Sequence, residues 1–149
     1  MARFVYKLQN VLDVKEKVEA QAKQDFATAA GLLEEQKQIL AGLYERKELL
    51  LAEGQELIKG KLDFHDIEDN RLAKEFVERK IEEQMINVNK AEANVERARR
   101  KMADAVADKK TYDRLKERAF EDFMLEENRA ESKAVDELTS YTYGQRTKV

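Results

Sequence analysis

Gly54, Gly60 and Lys61 have the outline of a phosphate-binding loop, whose backbone N–H groups and lysine would cradle a nucleotide. The spacing fails. Five residues separate the glycines where such a loop has four, and Leu62 stands where a hydroxyl would hold magnesium. His65 lies between Asp63 and Asp66, but it is the only histidine and the chain has no cysteine. A metal centre needs three or four converging ligands, so a histidine on a surface turn is the simpler reading. Carboxylates come in pairs at Glu34-Glu35, Glu82-Glu83 and Glu126-Glu127. Acid–base chemistry would require two of them in a shielded cleft with divergent pKa values. The basic run Arg97–Lys101 could meet nucleic acid, yet it lacks interleaved aromatics and a basic overall balance. No catalytic residue, cofactor or metal ligand is therefore expected.

The elements that would have to position such groups explain why. The chain has 149 residues, no proline, no cysteine and five glycines, and 40% of it is charged. A chain so poor in turn residues is not expected to form a many-stranded sandwich or a loop-rich α/β fold. Charge this dense with good helix formers points to long helices and coiled coil. The net charge of −3, from 28 basic and 31 acidic residues, selects neither nucleic acid nor an anionic membrane. Absent cysteine fits a reducing compartment. The longest clean apolar run, Leu49–Ala52, is far short of the 20 or so residues of a spanning helix. The opening residues lack the apolar stretch of a secretory signal.

Seven-residue spacing organises the apolar side chains. One row is Leu8, Lys15, Ala22, Ala29, Gln36, Leu43, Leu50 and Leu57; flanking rows supply Phe4, Val11, Val18, Leu32 and Ile39, and Leu12, Phe26, Leu33 and Leu40. Lys15, Asp25 and Gln36 interrupt this seam. A second stretch carries Ile67, Ile81, Val88, Val95 and Met102 on one row, with Val77, Gln84, Ala91, Ala98 and Ala105 beside it. Such rows mark coiled-coil helices. They predict helices over about 4–59 and 67–142, joined by a turn at about 60–66, with a disordered tail. Gly60 would end the first helix in the left-handed conformation, and Asp63 or Asp66 would cap the second. The fold class is all-α: one long antiparallel two-helix coiled-coil hairpin as a single domain. With the turn near residue 63, paired numbers should sum to about 126. Leu50 would then face Phe76, and Phe4 the region of Asp122. At 1.5 Å per residue the shared seam would run about 85 Å.

Charge divides along the second helix. Residues 97–118 hold nine basic and four acidic side chains, whereas residues 119–137 hold seven acidic and two basic ones. Phe120 and Phe123 fall where the first helix runs out, so they are expected to face a partner.

The segment Phe4-Val5-Tyr6-Lys7-Leu8-Gln9 followed by Lys15-Glu16, then Leu115-Lys116-Glu117-Arg118, Glu127-Asn128-Arg129 and Asp136-Glu137, resembles the flagellar export protein FliJ family along the whole chain. The resemblance implies a non-enzymatic component of the bacterial flagellar type III export apparatus. Its fold would be similar to the central stalk of rotary ATPases. The implied partners are the hexameric flagellar export ATPase, an export-gate membrane protein and export chaperones, with no nucleic acid or small-molecule substrate. The implied location is cytoplasmic, peripheral to the cell membrane through the export apparatus, and the implied state is a monomer. Mapped onto this chain, the partner-binding residues would be Arg114, Leu115, Lys116, Arg118, Asn128, Arg129, Asp136 and Glu137. Salt bridges within the helix are the competing role for these charges. For the export gate, Val77 and Ile81 are candidates without a motif behind them. Three rival functions remain at this point: a structural coiled-coil adaptor, for which Leu12, Phe26, Leu33 and Leu40 could offer a spare seam, the equivalent stalk of a virulence secretion system, and a nucleic-acid-clamping arm using Arg97–Lys101.

Overall fold

The computed structural model describes residues 2–147, without the side chains of 146 and 147. Two long helices pack against each other: α1, Gln9–Ile58, and α2, Phe64–Thr147. Among the described residues there is no strand, no cis peptide and no residue with positive φ. Absence of proline allows both ladders of i→i+4 hydrogen bonds to run unbroken.

The ends differ from expectation in informative ways. α1 starts at Gln9 and not near Phe4, because Phe4 and Tyr6 engage α2 in extended chain. The Leu12 N–H donates to the Leu8 carbonyl (3.0 Å), so leucine occupies the capping position and supplies no side-chain acceptor. At the other end, the Lys59 N–H donates to the Glu56 carbonyl at 3.2 Å, which tightens the last turn. Gly60 is not left-handed. The tightened turn closes α1 without that conformation. Asp63, not Asp66, caps α2: its Oδ1 accepts the His65 N–H at 2.9 Å and its carbonyl accepts the Ile67 N–H at 3.1 Å. α2 stays helical through Thr147, past the expected end at 142; residues 148 and 149 of the expected tail lie outside the described residues.

The chain divides into two compact units, Ala20–Ala103 and Met1–Glu19 with Asp104–Val149. Both helices contribute to each. In the unit Ala20–Ala103, Leu50 (2% exposed), Val77 and Ile81 form the core, with Leu40, Leu43 and Ala73 against them. Ala22, Val88 and Ala91 are also buried. These lie on the expected heptad rows. Two buried amides interrupt them. Asn70 (5% exposed) donates from Nδ2 to the Leu50 carbonyl at 2.9 Å. Gln84 (7% exposed) donates to the Gln36 carbonyl at 2.9 Å and to Gln36 Oε1 at 2.7 Å, and accepts from Asn87 Nδ2 at 3.1 Å.

Both amide pairs, 36 with 84 and 50 with 70, have numbers summing to 120. In this unit the expected register of about 126 is therefore corrected; in the other unit Phe4 meets Phe120 and Phe123, where that register put it. Leu50 meets Asn70, and Phe76 is exposed. Gly54 makes this alignment possible. A Cβ on Gly54 would sit 2.7 Å from Asn70 Oδ1, so only glycine lets the amide reach the carbonyl one turn before it.

In the unit Met1–Glu19 with Asp104–Val149, Leu12 and Ala105 are buried. Lys15 interrupts the seam but is satisfied: its Nζ lies 2.6 Å from Asp108 and 5.6 Å from the Tyr112 ring centre. Tyr6 donates to the Tyr112 carbonyl at 3.4 Å. Phe4 packs edge-on against Phe120, with ring centres 5.2 Å apart, and tilted against Phe123 at 5.5 Å. From residue 128 to residue 143 every side chain of α2 is exposed.

Candidate partner-binding face

The groups that suggested chemistry do not converge on a site. Gly54 lies inside α1, not in a loop, and its absent side chain is used by Asn70. His65 is exposed in the first turn of α2. No group of three or more His, Cys, Asp or Glu that could hold a metal exists among the described residues. The basic run is engaged locally. Arg99 and Arg100 both bind Glu96, at 2.6 and 3.2 Å, and Arg97 bonds Asn94. The hydrogen bonds from Arg99 and Arg100 and their charge hold the Glu96 carboxyl down at about 2, against partial desolvation. Near the turn, Arg71 bridges Glu68 and Glu75, and its hydrogen bond lowers the Glu68 carboxyl.

The later part of α2 behaves differently. Arg114, Arg118, Arg129 and Asp136 are separated by four, eleven and seven residues, and Asn128 adjoins Arg129. Each interval is close to a whole number of turns, so these five occupy one face of the helix. All five are exposed. Lys116 and Glu137 do not share that face. Lys116 is half-buried on the seam side, with Tyr112 and Phe123, and Glu137 follows Phe123 by fourteen residues on the same side. Leu115 lies between the two faces, exposed. Asn128, Arg129 and Asp136 line one shallow groove with Leu125, Ser132 and Lys133.

Among the described residues, none of Arg114, Lys116, Arg118, Arg129, Asp136 and Glu137 makes an ion pair or side-chain hydrogen bond. The competing role as salt bridges within the helix therefore finds no support in the geometry. Glu117 likewise lacks an ion pair among the described residues.

Two other expectations change. Val77 and Ile81 are core residues, too buried to offer a gate contact. Leu12 is buried and Phe26, Leu33 and Leu40 are half-buried, so that row is taken up in packing, whereas Val18, Leu32 and Ile39 of the neighbouring row are exposed. Phe120 is exposed as expected, at 47%, and Phe123 is half-buried, with Phe4 packed against both. The expected pairing of Phe4 with the region of Asp122 is met, since Phe120 and Phe123 flank that residue; what the spacing did not foresee is that Phe4 lies outside α1.

No helix is long and apolar enough to cross a membrane among the described residues. No curated relative and no solved structure matches the chain. A family model does: that of the flagellar FliJ protein, over residues 4–148. A match of nearly the whole chain, together with two long helices paired through heptad rows, places this chain in the flagellar FliJ protein family, whose members are components of the flagellar export apparatus and not a catalytic family.

Proposed function

We propose that the protein is a stalk-like coiled coil that engages the hexameric flagellar export ATPase and links it to the export gate or to export chaperones. It would act as a monomer, on the cytoplasmic side of the membrane and attached to it through the export apparatus. The observation that carries this reading is the exposed face of Arg114, Arg118, Asn128, Arg129 and Asp136, whose charges have no ion-pair partner among the described residues. Unpaired charges on a continuous helix suit a partner with complementary loops, since they lose no internal pairing when they bind. Two helices without proline lack the commonest cause of a kink, which suits a part that transmits position.

Pull-down and ATP hydrolysis with the cognate export ATPase test the proposal. Charge reversal of Arg114, Arg118 and Arg129 together should abolish capture and stimulation while leaving helical content intact. Reversal of Arg99 and Arg100, which already face Glu96, should have a smaller effect. Unchanged stimulation by the triple variant would refute the assignment of this face.

A further inference from the structure

Residues 2–6 have no regular structure, and residues 7 and 8 form a turn. Among the described residues, the first backbone hydrogen bond of the chain is donated by Gln9 to the Tyr6 carbonyl. Three contacts seat the segment on α2: the two rings against Phe4, and the hydrogen bond of Tyr6 to a helix carbonyl. That carbonyl belongs to an α-helix, so it retains its own ladder partner if Tyr6 leaves. Val5 points to solvent, at 74% exposure. The segment carries Arg3 and Lys7 and no acid; the stretch of α2 beside Phe120 and Phe123 carries Glu121, Asp122, Glu126 and Glu127. The face continues uncovered into Met124, which is exposed.

A residue that only staples a helix start packs against that same helix four positions on. Phe4 instead reaches a position more than a hundred residues away, on the helix that bears the candidate partner face. We propose that Ala2–Leu8 is a detachable strap that occupies, as an internal stand-in, a docking site for a partner side chain on the Phe120–Phe123 face. The site takes an apolar side chain flanked by basic groups, the chemistry the strap itself presents. A protein partner that supplies such a side chain displaces Phe4, and the strap sets how readily it does so. That partner being the export ATPase rests on the function proposed above; the strap itself does not.

The chain has no tryptophan, so Phe4→Trp provides a single fluorescent reporter. In urea, its emission should shift to that of exposed indole at lower denaturant than the loss of helical circular dichroism, as for a locally opening segment. Coincident transitions would overturn the strap. As a second measurement, Phe4→Ala in the full chain should raise bis-ANS fluorescence several-fold at unchanged helicity, and adding Phe120→Ser and Phe123→Ser should cancel the rise. No rise would overturn the masked site. With the export ATPase, Phe4→Ala should bind about three- to tenfold more tightly, the factor recovered when a largely closed state is opened. Equal or weaker binding would overturn displacement by that partner. If the wild-type chain binds no ATPase, the proposed function fails, and the two free-chain measurements still decide the strap.

Discussion

The two units solve the same packing problem with different materials. In Ala20–Ala103 the seam is aliphatic, and its polar interruptions are amides bonded to backbone. In the other unit the seam is interrupted by a lysine on a carboxylate, and aromatic rings replace aliphatic layers. Amide-to-carbonyl bonds need close and exact placement, so they tie one unit to one alignment. Ion pairs and ring contacts tolerate small displacements. The region with adjustable contacts is also the one that carries the face of Arg114, Arg118, Arg129 and Asp136 and the proposed strap. On the proposed function, alignment and recognition would be allotted to separate stretches of the same two helices.

The largest effect that should expose this contrast is Leu50→Ala. Removing the most buried aliphatic side chain of its cluster should cost about 2–5 kcal/mol in urea unfolding followed by circular dichroism. A cost below about 1 kcal/mol would mean that the aliphatic seam is not the stiffer part. Next comes a pair of glycine substitutions with opposite signs. Gly42→Ala meets nothing within 4 Å and should stabilise the helix by about 0.8–1 kcal/mol. Gly54→Ala would gain the same propensity but displace Asn70, which is held by its bond to Leu50, so a net loss of about 1 kcal/mol is expected. In the Asn70→Ala background the Gly54 penalty should shrink, a coupling that thermal melts can measure. Equal signs for the two glycines would rule out a close approach at Gly54.

The smallest effects are electrostatic. Lys15 is raised above its ordinary range, first by its hydrogen bond to Asp108 and then by that carboxylate's charge. Its contribution is therefore complete below the unfolded pKa near 10.5 and is lost as pH rises through the higher folded value. Glu96 has the opposite sign. With its folded pKa at about 2, its contribution is complete above the unfolded value of 4.5 and fades as pH falls from there toward 2. Both groups are solvent-accessible, so both effects should be slight and weakened by salt. Melting curves of wild type, Lys15→Met and Glu96→Gln across pH would resolve them. A Lys15→Met difference that grows above pH 10.5 would contradict the expected sign.

Much of this was legible in the spacing of side chains. Val77, Gln84, Ala91 and Ala105 are buried along one row, and Ile81 and Val88 along the next, because heptad rows record which face a helix hides. The face shared by Arg114, Arg118, Arg129 and Asp136 was likewise written in their intervals, although Lys116 and Glu137 were grouped with them by motif and lie elsewhere. The register was legible where Phe4 meets Phe120 and Phe123, and not in the unit Ala20–Ala103. A hydrophobic pattern repeats every seven residues and does not say which repeat faces which; that was decided by the bond from Asn70 to a backbone carbonyl, which has no sequence signature. Gly60 misled because glycine permits the left-handed conformation without requiring it. The start of α1 differed from the pattern because Phe4, though on a heptad row, packs on Phe120 and Phe123 from outside the helix.

The close approach of Asn70 to α1 has a consequence for how a repetitive sequence avoids ambiguity. Sliding one helix by a heptad leaves apolar rows facing apolar rows, so the seam alone is nearly degenerate. The amide breaks the degeneracy, because it requires a carbonyl with a glycine four residues later. One heptad away in either direction that position is Lys47 or Lys61. Lys47 cannot leave the gap that the amide needs, and position 61 lies beyond the end of α1 at Ile58. A single missing side chain at Gly54 thus acts as an address in a message that otherwise repeats itself.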